Sequence, residues 1–482
     1  MGLRNFKESI GNGISRRKFI STAAGGTAIA LFRPSIALAT HTPDHFLLND
    51  YVGRLCYNEN PLGPSPKAIT AMKEQIHMGH RYTDWFADSL RSKLGDLHGV
   101  SSSKVIAGGG ATEILRLCAY AFADPDGNVV CPYPSYGQFA SDSNFVGAEV
   151  RYSDLDGNYR IDLDDMASRV DDNTSAVCIT NPNNPTATVL AANDIENFVN
   201  SLPHHVVTII DEAYHEYVDD PSYQTAMELV LQDKKVVVIR TFSKVFGLAG
   251  VRIGYAVGIS SLISALRSWQ YYATVSRLAL EAAKSALDDS QHVTDTVELN
   301  TMAKQFCFDS FDSMGLEYIP SQTNYFMVDV NQPASNVAGQ LAQRGIRVRT
   351  GWGMPNHLRV STGTMEEMQD FVNALNEILN PLSKMSPLTP MITTLEGNYP
   401  NPFNGSTHIE YSIAKGGHVL LQIFNIQGQL VKTVVDEYKF PGNYAFDWNG
   451  KNQSGAPVAS GSYFYKLTSG DFTQTRRMIL VK

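Results

Sequence analysis

At 482 residues, 43% hydrophobic and 18% charged, the chain is long enough for two or three domains with their own cores and too apolar to be disordered. Its formal net charge of -9 gives no electrostatic reason to expect nucleic-acid binding, which rests on clustered basic surface. The five cysteines (Cys56, Cys118, Cys131, Cys178, Cys307) lack C-x-x-C spacing, and some lie in apolar runs such as 176–179. They read as small core residues, neither a disulfide framework nor a zinc site, and no metal is expected.

The first predicted element, residues 1–39, is an export signal. A basic start precedes residues 19–32, which are apolar and uncharged but too short, at 14 residues, for the roughly 20 that span a bilayer. Ala37-Leu38-Ala39 then supplies a small-residue cleavage site, and Gly25-Gly26 and Pro34 count against a helix of the mature fold. Ser15-Arg16-Arg17-Lys18-Phe19-Ile20 resembles the twin-arginine signal, which implies export of an already folded protein.

Next comes an alternation of strands and helices. Short β-branched runs at 104–107, 128–131, 176–180, 206–210, 236–240 and 254–257 are mostly apolar and do not alternate with polar residues, as suits strands buried on both faces of a mostly parallel sheet. Ala111, Ile114, Leu115, Cys118 and Phe122 fall on one helical face. The predicted fold class is α/β, and in open α/β sheets ligands bind beyond the carboxyl ends of the strands. Those ends read Gly108-Gly109-Gly110-Ala111-Thr112, Pro134-Ser135-Tyr136, Asn181-Pro182-Asn183-Asn184-Pro185-Thr186, Asp211-Glu212-Ala213-Tyr214 and Thr241-Phe242-Ser243-Lys244.

Singly, each has an ordinary explanation: a glycine turn, a helix cap, a Pro/Asn turn, a surface lysine. Together they share one chemical use. A lysine can carry an aldehyde as a Schiff base, an aspartate can hold a protonated pyridine nitrogen, and a glycine-opened helix start with an arginine can hold a phosphate. Those are the needs of pyridoxal 5'-phosphate. The region from about 47 to 382 resembles the fold-type I aminotransferases, most closely the histidinol-phosphate aminotransferase family. The resemblance is carried by Asn58-Glu59-Asn60-Pro61-Leu62-Gly63-Pro64-Ser65-Pro66, Arg81-Tyr82, Asn184-Pro185-Thr186, Asp211 to Tyr214, and Ser243-Lys244 to Arg252.

The resemblance implies a role for each matching position. Lys244 would bind the cofactor aldehyde and move the α-proton, Asp211 would pair with the ring nitrogen, and Asn184 and Tyr214 would meet the ring's phenolate oxygen. Tyr136 would stack on the ring, while Gly110, Ala111, Thr112, Thr241, Ser243 and Arg252 would hold the phosphate. Tyr82 would reach the cofactor of a neighbouring subunit in a homodimer. Arg359 would clamp the substrate carboxylate, with Arg349 and Asn324 also on the substrate side. Ala187 departs from the family's glycine, which puts the shape of that turn in question. Residues 40–284 would form the arm and large domain, and 285–382 the small domain.

The tail changes texture. Residues 383–397 read as a linker, and 398–482 as an Ig-like all-β module of short alternating strands. Its opening Asn398-Tyr399-Pro400-Asn401-Pro402-Phe403-Asn404 and its closing 460–482 stretch resemble the sorting domains of the type IX secretion system. The alternative is a carbohydrate- or partner-binding Ig-like module. The leading functional expectation is an exported aminotransferase acting on an amino acid and a 2-oxo acid. It would pass the twin-arginine and type IX machineries to the periplasm and then the surface or beyond. A pyridoxal-phosphate decarboxylase and a non-catalytic surface binding protein are the alternatives. An exported enzyme would be cut off from cytoplasmic histidinol phosphate, so the amino donor is left open.

Overall fold

The structure, a computed structural model, describes residues 53–83, 86–380 and 392–481; the expected signal segment and most of the expected linker lie outside these residues. The described chain opens on a two-residue strand, β1 (Gly53–Arg54). A seven-stranded sheet follows, built from β2 (Val105–Gly108), β3 (Asn128–Pro132), β4 (Glu149–Ser153), β5 (Thr174–Thr180), β6 (Val207–Asp211), β7 (Val236–Thr241) and β8 (Gly254–Gly258). Their order is β2-β8-β7-β6-β5-β3-β4, with β8 antiparallel to both neighbours and the remaining pairs parallel.

The apolar runs are explained by two cores, one on each face. In β5, Val177 and Ile179 enter one core while Ala176 and Cys178 enter the other; in β7, Val236 and Val238 oppose Val237 and Ile239 in the same way. Successive strand residues point to opposite faces, so a sheet covered on both sides favours apolar residues on both faces rather than on alternate positions. Each fully buried Val or Ile contributes roughly 1.5–3 kcal/mol. The edge strand β4 went unpredicted, and its half-exposed Glu149-Val150-Arg151-Tyr152 explains why: an edge has no need of a continuous apolar run.

The small domain adds β9 (Tyr318–Ile319), β10 (Tyr325–Asp329), β11 (Ile346–Arg347), β12 (Arg349–Gly351) and β13 (Met354–Ser361). Four of these form an antiparallel sheet, β12-β13-β10-β9, under helices that include Ser290–Met314 and Met365–Leu379. The latter helix starts from a reciprocal capping box between Thr364 and Glu367. β1 pairs in parallel with β11, Gly53 opposite Ile346, so the amino-terminal segment is laced to the small domain.

The carboxyl-terminal module is all-β. β14 (Thr394–Leu395), β15 (Thr407–Ile413) and β18 (Gly442–Trp448) form one antiparallel sheet; β16 (Gly417–Asn425), β17 (Leu430–Lys439), β19 (Gly461–Ser469) and β20 (Phe472–Leu480) form the other. Val419, Leu421 and Ile423 alternate inward to pack with Trp448 and Tyr465. β14 falls within the stretch expected as linker, so the module begins by residue 394. β17 was not predicted, because its charged residues leave it half-exposed along its length.

Candidate active site

A cavity of about 380 Å³ lies at the carboxyl edge of the large sheet. β5, β6 and β7 end at Thr180, Asp211 and Thr241, which all line it. Arg252 reaches the same edge because β8 runs the opposite way and starts just after it. Of the residues singled out from the sequence, Ala111, Thr112, Tyr136, Asn184, Asp211, Tyr214, Thr241, Ser243, Lys244, Arg252, Arg349 and Arg359 all line the cavity.

One end of the cavity is a cup. The helix Ala111–Phe122 starts from Gly110, whose φ of 92 is a conformation natural only to glycine. A Cβ at Gly110 would collide with Nη2 of Arg252. Arg252 itself sits at φ 62 and donates to the carbonyls of Ala249 (2.9 Å) and Gly109 (3.3 Å). The helix's first amides have no acceptor within the helix and, with the helix dipole, favour an anion. Thr241 and Ser243 add hydroxyls to the lining.

At the centre Lys244 donates through Nζ to the carbonyls of Tyr57 (3.1 Å) and Asn58 (3.0 Å). Burial first, and then the positive charge of Arg359, brings its ammonium pKa down to about 8. Asp211 is 3% exposed, and burial pushes its carboxyl up to about 7 against the opposing pull of the Ala213 N–H and Lys244. Behind it, Glu212 and Arg240 form a buried ion pair at 2.8 Å. The Tyr214 hydroxyl accepts from Asn58 Nδ2 at 2.9 Å and from Asn184 Nδ2 at 3.5 Å, and burial holds it protonated, up to about 12.

The other end is basic. Arg359 donates from Nη1 to Asn184 Oδ1 (2.7 Å) and from Nη2 to the Cys56 carbonyl (2.9 Å), leaving Nε without a partner. Its guanidinium lies 4.9 Å from the Trp352 ring centre, and that of Arg349 lies 5.4 Å from the same ring. Among the described residues, Arg252, Arg349 and Arg359 have no carboxylate within ion-pair distance, whereas Arg54 at the rim is paired with Glu59 at 3.2 Å. Three unneutralised guanidiniums in one cavity call for anionic ligands.

Three expected positions stand elsewhere. Gly110 forms the cup's rim from behind Arg252 and is not itself in the lining. Asn324 does not line the cavity either; it is buried, and its Nδ2 donates to the carbonyls of Asn58 (3.1 Å) and Glu59 (3.3 Å), so it braces the amino-terminal segment. Tyr82 is 79% exposed, its ring 6.0 Å from that of Tyr272, and it does not reach this chain's cavity. Sequence reasoning assigned no site role to Tyr57 and Asn58, whose carbonyls meet Lys244, or to Trp352, which lies beside Arg349 and Arg359. Asn58 had a signal in the Asn-Glu-Asn-Pro run, and Trp352 had one in its two flanking glycines.

A family model for aminotransferase class I and II matches residues 52–375, and one for a FlgD Ig-like domain matches 404–471. The histidinol-phosphate aminotransferase of Caldicellulosiruptor saccharolyticus is 36% identical over 328 residues, covering 68% of this chain and 91% of that one. That of Akkermansia muciniphila is also 36% identical over 328 residues, covering 68% and 90%. Among solved structures, histidinol-phosphate aminotransferase from Sinorhizobium meliloti in complex with pyridoxal-5'-phosphate aligns with a TM-score of 0.65 at 25% identity, covering 69% of this chain and 92% of that one. L-threonine-O-3-phosphate decarboxylase from Porphyromonas gingivalis, at 20% identity and TM-score 0.59 over 68% and 99% of the two chains, shares the fold alone. The chain belongs to the class I and II aminotransferase family and is a pyridoxal-phosphate-dependent aminotransferase.

Proposed function

We propose that Lys244, Asp211 and Arg252 hold pyridoxal phosphate in this cavity, and that Arg359 and Arg349 receive the anionic groups of the amino substrate. The donor set fits the cofactor group by group. The cup supplies a helix start, two hydroxyls and an unneutralised guanidinium for a phosphate, and it keeps a glycine where any side chain would strike Arg252. Asp211, a buried carboxyl with one backbone donor, has no ion-paired cation among the described residues and feels only the more distant positive charge of Lys244; a protonated ring nitrogen would be the close cation that holds it ionised.

Bound there, the cofactor supplies an aldehyde for the substrate nitrogen and a ring that draws electrons from the α-carbon. Lys244, with its ammonium pKa brought down to about 8, gives up its proton more readily than an ordinary lysine and would take and return the α-proton. Tyr214 and Asn184 are positioned to hydrogen-bond the ring oxygen, and Tyr136 to cover the ring face. Arg359 offers a planar fork to a carboxylate, and Arg349, beyond Trp352, offers a second cation to a distal anion. The observation that carries this reading is the meeting of a half-buried lysine, a buried aspartate and three unneutralised arginines in one cavity of about 380 Å³.

Borohydride reduction of the protein loaded with pyridoxal phosphate tests it, with cofactor mass expected on the peptide containing Lys244 and nowhere else. A screen of amino acids and phosphorylated amines against several oxo-acid acceptors then names the substrate, and carbon dioxide release without oxo-acid consumption would point to a decarboxylase.

The proposal extends to assembly and address. Tyr82, Tyr271 and Tyr272, at 79%, 85% and 70% exposure, make an aromatic surface that suits a second copy of the chain, supporting the homodimer expected from the resemblance. The Ser15-Arg16-Arg17 segment supports export by a twin-arginine route, and the Ig-like module, with its Asn398 to Asn404 opening, supports type IX sorting to the surface or beyond.

A further inference from the structure

Asn58 is 1% exposed, sits at φ 55 and engages every polar atom it has. Its N–H donates to Ser361 Oγ (2.8 Å), and its Oδ1 accepts from the same hydroxyl (2.9 Å). Its Nδ2 donates to the Tyr214 hydroxyl (2.9 Å), and its carbonyl accepts from Lys244 Nζ (3.0 Å) and Asn324 Nδ2 (3.1 Å). Ser361 closes β13 of the small domain, whereas Tyr214 and Lys244 follow β6 and β7 of the large one. A buried asparagine needs partners simply to avoid desolvation loss, but that requirement does not dictate which partners it takes. Here they are the hydroxyl and amine at the centre of the site, reached from a left-handed backbone conformation that asparagine tolerates better than most residues.

The consequence lies at Tyr214. With Asn58 and, more distantly, Asn184 donating to its oxygen, the hydroxyl's own hydrogen is free to point into the cavity. We propose that Asn58 is a positioning residue that ties the small-domain strand β13 to Tyr214 and Lys244, and strengthens the hydrogen bond that Tyr214 gives to the bound cofactor's ring oxygen. This rests on the cofactor reading above. A donor into a hydroxyl oxygen polarises its O–H and makes it a better donor in turn. A stronger bond to the ring oxygen favours that oxygen's ionised form, so the bound cofactor's titration moves to lower pH.

The test is a pH titration of the visible absorbance of the protein loaded with pyridoxal phosphate. Asn58→Gly removes only the side chain: glycine adopts φ 55 freely, and the backbone bonds to Ser361, Lys244 and Asn324 stay available. Its midpoint is expected to rise by about half a unit to one unit, one hydrogen bond read as a pH shift. Ser361→Ala, which loosens Asn58 but leaves its bond to Tyr214, should give a smaller rise. In a Tyr214→Phe background the Asn58 substitution should add no shift, since the group through which it acts is gone. An unchanged midpoint overturns the proposal. So does a lowered one, which would mean that Tyr214 donates to Asn58, and so does a shift that persists without the Tyr214 hydroxyl. If the wild-type protein shows no bound-cofactor band, the cofactor reading falls too; a normal wild-type band with unmoved variants removes Asn58 alone.

Discussion

At the scale of single residues, the site holds two groups whose ionisation is displaced in opposite senses by burial. Lys244 is brought down to about 8 and Asp211 pushed up to about 7. Loading the cofactor needs a neutral amine and an ionised carboxyl, and both conditions are met only as pH rises past these values. The rate at which the cofactor-free chain takes up pyridoxal phosphate, followed by absorbance, should therefore climb between pH 6 and 9 and level off above; a flat profile would contradict the assignment. Arg349→Ala should raise KM by about ten- to a hundredfold for substrates with a distal anion, the range of a charge-assisted hydrogen bond, while leaving neutral side chains unaffected. Steady-state kinetics on paired substrates reads the difference. Lys244, Asp211 and Arg252 were legible in the sequence because each is fixed by its position beside a strand end. Asn58 stood in the Asn-Glu-Asn-Pro run, but what it contacts was not legible, because its partners lie 156 and 303 residues away, which no local pattern encodes. Asn324 was misplaced for the same reason: an asparagine beside a strand can face a substrate or brace a neighbour, and only the packed domains decide.

At the scale of elements, the β2 turn and the helix after it act as one device, a backbone cup closed by Arg252. Gly110→Ala should leave the fold intact while weakening cofactor affinity at least about tenfold. The added Cβ strains a left-handed backbone by roughly 1–2 kcal/mol and strikes the guanidinium that would meet the phosphate. Fluorescence titration with pyridoxal phosphate measures this, and thermal melting separates it from misfolding. Where burial is two-sided, as in β5 and β7, the strands are readable from apolar stretches at 176–179 and 236–239. Where one side meets solvent the signal thins, as at β4 and β17. The turn containing Ala187 is a different kind of case. The residue is buried at φ 63, its carbonyl accepting from Gln322, so the family's glycine position keeps its glycine-like backbone with an alanine in it.

At the scale of the whole molecule, the cysteines bear on the order of folding and export. All five are buried and free, from 0% to 5% exposed, and burial pushes each thiol upward, Cys131 to about 12. A chain threaded unfolded into an oxidising compartment would present five reactive thiols there, with every wrong pairing open to it. A chain that folds first carries them buried, four of them inside its hydrophobic cores. The cofactor adds a second constraint, because the proposed cup and lysine hold it only when β2, β6 and β7 are already assembled. Both considerations favour the export of a folded, loaded enzyme, the route that Arg16-Arg17 is proposed to specify. Replacing both arginines with lysine keeps the charge and removes the pair. Cell fractionation should then find the full-length chain retained in the cytoplasm, with pyridoxal phosphate bound and its thiols still reduced. If the lysine variant reaches the outside as efficiently as the wild type, the folded-export proposal fails, and the buried thiols must be protected during unfolded passage by some other means.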